Sequence, residues 1–125
     1  MDHNMVGWFE IPVTDMQRAK AFYDKVFEIS ISIHDLNEFK MGWFPMVPDK
    51  KGSAGSLVQH EMYVPSDKAG ALLYFSCADV ENELGRVEAA GGSIIHPKKE
   101  IGGGHGFTAL IKDTEGNRVA LHSKG

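Results

Sequence analysis

A carboxylate near the start of the chain, Glu10, and an imidazole near its end, His122, are the side chains whose types fit general acid–base work. If both face one apolar cavity, burial shifts their proton affinities toward the range where a base and an acid operate. The competing reading is structural: Glu10 hydrogen-bonds Arg118 or backbone, and His122 lies near a fraying terminus. Trp8 offers a flat surface for a planar ligand, or it fills space. Cys77 is the single cysteine, which excludes an internal disulfide framework and a cysteine-based zinc cluster. On a strand it reads as a small buried hydrophobe. His3, His34, His60 and His96 are scattered without metal-type pairing, and solvated surface is the default for them. Gly102-Gly103-Gly104-His105-Gly106 looks like an anion loop, but no Lys-Ser/Thr and no helix follows, which excludes a P-loop. It reads as a flexible hairpin entry with His105 able to touch a ligand.

Composition bounds the classes to which these residues belong. The 125 residues make one domain, 1–125, with 42% hydrophobic and 24% charged residues, ordinary globular proportions. Thirteen basic against 17 acidic residues give a net charge of −4. No basic stretch suits a nucleic-acid backbone. No apolar run approaches ~18 residues, so no membrane span is expected. Met1–Gly7 is too polar and short for a signal peptide. A soluble, cytoplasmic protein is the expectation.

The elements that position the candidates follow from periodicity. Val6–Val13 alternates and reads as a strand. Thr14-Asp15-Met16-Gln17 fits a capping box, with Thr14 Oγ accepting from the third helical N–H and Gln17 reaching back. Met16, Ala19, Phe22, Tyr23, Val26 and Phe27 then recur at helical spacing. Ile29, Ile31 and Ile33 alternate as a strand, and Glu38–Met46 and Ser56–Val64 read as two more. After the break at Pro65–Gly70 the order begins again. Leu72–Ala78 is a strand, and Asp79 caps a helix with Val80, Leu84 and Val87 on one face, ended by Gly91-Gly92. Ser93–His96 is a strand ended by Pro97; His105–Lys112 and Asn117–Ser123 pair across Asp113-Thr114-Glu115-Gly116.

Both halves therefore read β-α-β-β-β, as modules of about 6–65 and 71–124. The fold class is α+β: two tandem βαβββ modules forming a cupped mixed β-sheet, with helices on the outer faces. Free sheet faces shape a concave surface, where a small ligand binds. Phe9, Ile11 and Val13 pack under the first helix, which sends Trp8, Glu10 and Pro12 to the cup. Val119 and Leu121 pack inward, which sends Arg118, Ala120 and His122 to it. Glu10 is expected there partly desolvated. Trp43, Phe44 and Met46 form an aromatic cluster on the third strand, either core, subunit contact or ligand wall.

Three stretches carry a family resemblance: Phe9–Met16 with Ala21-Phe22-Tyr23, Val87–Gly92, and Lys112–Arg118. On them the chain resembles the glyoxalase / bleomycin-resistance / extradiol-dioxygenase group, the vicinal oxygen chelate superfamily. The resemblance implies the paired βαβββ fold. It also implies, for catalytic members, a divalent metal with one ligand on the first and one on the last strand of each module. The family's spacing puts these positions at Trp8, seven before Asp15; at Leu73, about six before Asp79; and at Ala120, seven after Asp113. The fourth falls within Leu57–Glu61, with Gln59 and Glu61 on one parity and His60 on the other. On that ligand face Leu73, Phe75 and Cys77 share one side. Trp, Leu and Ala bind no hard or borderline cation, so no metal or other cofactor is expected, except a divalent metal at a non-standard site.

The expected activity is binding of a small, partly apolar or planar molecule between Trp8, Phe75, Glu10 and His122. Leu73, Arg118, Ala120 and His105 complete the contacts. Two alternatives stand beside it. One is an enzyme of lyase, isomerase or dioxygenase type using Glu10 and His122 at a non-standard site. The other is a structural or sequestering dimer. The resemblance also implies a homodimer, with no nucleic-acid or membrane partner.

Overall fold

Alternation along β1 (Phe9–Val13) buries Ile11 and Val13 and leaves Glu10 in solvent. The computed structural model describes residues 2–125. Helix α1 (Met16–Phe27) lays Met16, Ala19, Phe22, Tyr23 and Val26 on the same core. Its N-cap is Asp15, whose carboxylate accepts from Arg18 N at 3.1 Å. The expected Thr14–Gln17 capping box does not form, because the helix begins one residue later, at the Asp15 cap, and the Thr14 hydroxyl oxygen accepts from Arg18 Nη2 at 3.1 Å. Strands β2 (Ser32–Leu36), β3 (Phe39–Trp43) and β4 (Gly55–Gln59) follow, and the sheet order is β1-β4-β3-β2. Ile29 and Ile31 lead into β2 rather than belonging to it; the Asp24 carboxylate holds Ile31 N at 2.8 Å.

The second half repeats this order. Strand β5 (Tyr74–Ser76) leads to α2 (Val80–Val87), capped by Asp79 through Glu81 N at 3.0 Å. Strands β6 (Ser93–Glu100), β7 (Phe107–Lys112) and β8 (Arg118–Ser123) complete a sheet of order β5-β8-β7-β6. First and last strands run parallel in both modules, β1 with β4 and β5 with β8. Pro97 does not end β6 as expected. The strand is the outermost of its sheet, and its pairing with β7 shifts register on either side of His96, so a missing N–H is tolerated there.

The two modules share one hydrophobic cluster, from Ile11 and Phe22 to Ile111 and Leu121. Tyr23 donates to Asp113 at 2.6 Å, and Arg86 Nε donates to Val26 O at 2.8 Å. Gly92 sits where a Cβ would lie 2.5 Å from both Lys112 O and the Phe22 ring, so only glycine permits this approach. Among the described residues no helix is long and apolar enough to cross a membrane.

Candidate functional site

Pairing registers assign the side chains to faces. Glu10 lies opposite Ser56, and Trp43 lies opposite Ser56 from the other side. All three turn away from α1, on the open face of the first sheet. Trp8 joins them through an edge-to-face contact with Trp43, ring centroids 6.4 Å apart. His34 stacks on Trp43 at 3.7 Å. Farther along the sheet Phe39 stacks on His60 at 4.4 Å, with Tyr63 edge-on to both. The Tyr63 hydroxyl donates to Glu10 at 2.7 Å, and this bond raises the hydroxyl above its usual proton affinity. An aromatic layer with one carboxylate thus covers the open face. Trp8 and Trp43 keep 39% and 37% of their surface in solvent, enough for a flat molecule to stack on them.

Glu10 is exposed, not partly desolvated as expected. Its partner is Tyr63; no hydrogen bond or ion pair joins it to Arg118 or His122 among the described residues. On the second sheet, Tyr74 lies opposite Ala120 and Ser76 opposite His122, so Arg118, Ala120 and His122 do share the open face. His122 Nε2 lies 2.8 Å from His105 O, which brings these two together through the His105 backbone, while the His105 side chain is exposed. Arg118 donates to Gly70 O at 3.2 Å, and Ala120 is buried.

Leu73, Phe75 and Cys77 do not face the cup. They pack against the core cluster, and Tyr74 and Ser76 occupy the other side of β5. The reason is a one-residue slip. Cys77 precedes Asp79 by two residues, as Val13 precedes Asp15, so the counterpart of Trp8 is Leu72, seven before Asp79. The same equivalence fixes the fourth ligand position. Ser56 faces Glu10 as Ala120 faces Tyr74, which places that position at Ser56 and outside Leu57–Glu61. Gln59 instead accepts from Met16 N at 2.8 Å at the start of α1, and His60 Nδ1 accepts from Met62 N. The four positions therefore carry Trp8, Ser56, Leu72 and Ala120. One hydroxyl, itself donating to Leu57 O, is no metal site, so this donor set does not fit the family's metal. Among the described residues no three His, Cys, Asp or Glu side chains converge elsewhere.

Burial, with Glu83 beside it, pushes the Cys77 thiol up to about 12, so it stays protonated. Phe75 and Leu73 line instead a cavity of about 660 Å³ on the helix side of β1 and β5. Tyr63 lies in the loop after β4, which ends at Gln59 and not at Val64 as expected, and His34, expected as solvated surface, stacks on Trp43 instead.

The family Glyoxalase/Bleomycin resistance protein/Dioxygenase superfamily matches residues 5–121. No match was found among curated protein sequences. Among solved structures, glyoxalase I from Zea mays superposes with a TM-score of 0.74 at 20% identity, over 94% of this chain and 45% of that one. The chain thus spans under half the length of the maize enzyme. TnmS3, an antibiotic binding protein from Streptomyces, gives 0.68 at 22% identity over 98% of each chain. A glyoxalase/bleomycin resistance protein from Albidiferax ferrireducens gives 0.71 at 17%, over 94% and 98%. At these identities the likeness is one of fold.

Proposed function

Since the chain belongs to the glyoxalase/bleomycin-resistance/dioxygenase superfamily, and Trp8, Ser56, Leu72 and Ala120 stand at its metal-ligand positions, we propose that it binds a small planar or partly apolar molecule without a catalytic metal. The observation that carries this reading is the half-exposed pair Trp8 and Trp43, with His34 stacked behind. Rings already fixed against one another lose little freedom when a flat ligand stacks on them. Glu10 and the Tyr63 hydroxyl supply polar contacts beside the rings. An antibiotic binding protein shares the fold, which makes planar antibiotics a sensible part of the ligand screen.

A homodimer completes the reading. The open face of the first sheet presents Glu10 among Trp8, Trp43 and Phe39; that of the second presents Arg118, His122 and Lys99. An acidic, aromatic face and a basic face on one chain are complementary between two copies.

The test is a thermal-shift screen of planar metabolites and antibiotics, with calorimetry on the compound that stabilises most. Trp8→Ala and Trp43→Ala are each expected to weaken that compound by about tenfold or more. Glu10→Gln is expected to do less, because an exposed carboxylate is already solvated. Unchanged affinity in both tryptophan variants would overturn the site. Elemental analysis of the purified protein is expected to find no stoichiometric nickel, zinc, iron or manganese, with the melting temperature unmoved by chelator. One equivalent of metal per chain, lost together with stability on chelation, would sink the metal-free reading.

A further inference from the structure

The cavity of about 660 Å³ lies on the opposite face of β1 from Trp8 and Glu10, where the start of β5, the end of α1 and the β3–β4 loop meet. Its size falls within the ~300–1,000 Å³ of small-molecule sites. Phe9, Phe27, Phe44 and Phe75 form its wall. These rings hold one another in place, with Phe9 at 5.3 Å from Phe44 and Phe27 at 4.9 Å from Phe75. The wall is therefore built before any guest arrives, and it cannot close without unpacking the core beneath. Apolar walls bind water poorly, so an apolar guest that displaces it gains free energy.

The charge at the rim is specific. Among the described residues Lys51 is the one charged residue lining the cavity and no carboxylate lines it, although the chain carries a net −4. Lys51 makes no ion pair among the described residues. Ser53 also lines it, and its hydroxyl has no hydrogen-bond partner among the described residues. We propose that this junction cavity is a second binding site, for an anionic amphiphile: an aromatic or branched apolar body bearing one carboxylate or sulfonate. The body lies against Phe9, Phe44 and Phe75, and the anion meets Lys51 and the Ser53 hydroxyl. The proposal is independent of the stacking site on the open face.

Two fluorescent probes test it on the full chain. They are 1-anilinonaphthalene-8-sulfonate, which is anionic, and N-phenyl-1-naphthylamine, which is neutral and of similar shape. Both are expected to bind at one per chain. Lys51→Glu is expected to weaken the sulfonate about tenfold and to leave the neutral probe within about twofold. Ala54→Phe, which puts a ring into the cavity, is expected to abolish both. Should that variant not fold, photolabelling of the wild-type chain with an azido-naphthalenesulfonate decides the matter. Labels on residues 44–54 and 73–76 support the site; labels at Trp8 or Trp43, or displacement of neither probe by a folded Ala54→Phe, overturn it. Equal weakening of both probes by Lys51→Glu overturns the anionic class.

Discussion

Glu115→Ala is expected to destabilise the folded chain by about 3–5 kcal/mol, among the largest effects of any single change outside the apolar core. Glu115 lies in the β7–β8 turn of the second module, and its side chain is fully buried. It accepts from Thr14 N and Asp15 N, each at 2.8 Å, and from Arg18 Nε at 2.7 Å. These donors all belong to the start of α1, so one carboxylate from the second module supports the first module's helix N-terminus. Burial raises the Glu115 carboxyl, but Arg18, the Asp15 and Thr14 N–H groups and the Thr114 hydroxyl outweigh it and hold the group at about 2. The folded value lies below the ordinary 4.5. The contribution is therefore complete above pH ~4.5 and is lost as pH falls toward ~2, amounting to about 3 kcal/mol. Urea unfolding of wild type and Glu115→Gln across this range checks it. The gap between them is expected to be widest at neutral pH and to close toward pH 2; a gap independent of pH would remove the carboxylate from the account.

Which parts of this were readable from the chain depends on how local the cause is. β1 and α1 are written in their own residues: Phe9, Ile11 and Val13 alternate, and Met16 to Val26 recur at helical spacing. The repeat was readable because Asp15 and Asp79 mark the same point in both halves. The capping box expected at Thr14 fails because Asp15 offers an equally good cap one residue on, and Glu115, about a hundred residues away, holds both N–H groups there, which no local pattern reveals. The face of Phe75 is hard to read from sequence because β5 has only three paired residues, too few for alternation to fix the register to within one residue. Of the expected cup residues, Trp8 and Glu10 share one open face and Arg118, Ala120 and His122 the other. Tyr63, the residue that meets Glu10, comes from a loop after β4 whose path is set by tertiary contacts.

The turn that holds Glu115 makes a second large prediction, at Asp113. Tyr23 is fully buried, and its hydroxyl donates to Asp113 at 2.6 Å. Burial and the adjacent carboxylate push that hydroxyl well above its ordinary proton affinity, so it remains a neutral donor. Asp113 also accepts from Glu115 N and Asn117 N, both at 2.8 Å, and from Asn117 Nδ2 at 3.0 Å. Asn117 in turn donates to Pro12 O at 2.7 Å, at the end of β1. Asp113→Ala strands a buried hydroxyl and two turn N–H groups together, and on the order of 4 kcal/mol is the expected loss. Tyr23→Phe removes one donor and leaves the carboxylate three others, so about 1–2 kcal/mol is expected. In the Asp113→Ala background the same Tyr23→Phe change deletes a hydroxyl that has lost its acceptor, and it is expected to cost nothing or to stabilise. A double-mutant cycle by urea unfolding, with unchanged m-values, reads the coupling directly. Additive costs would mean that the hydroxyl finds another partner in the core. The junction between the modules would then rest on Glu115, the Asn117–Pro12 and Arg86–Val26 hydrogen bonds and the shared apolar cluster.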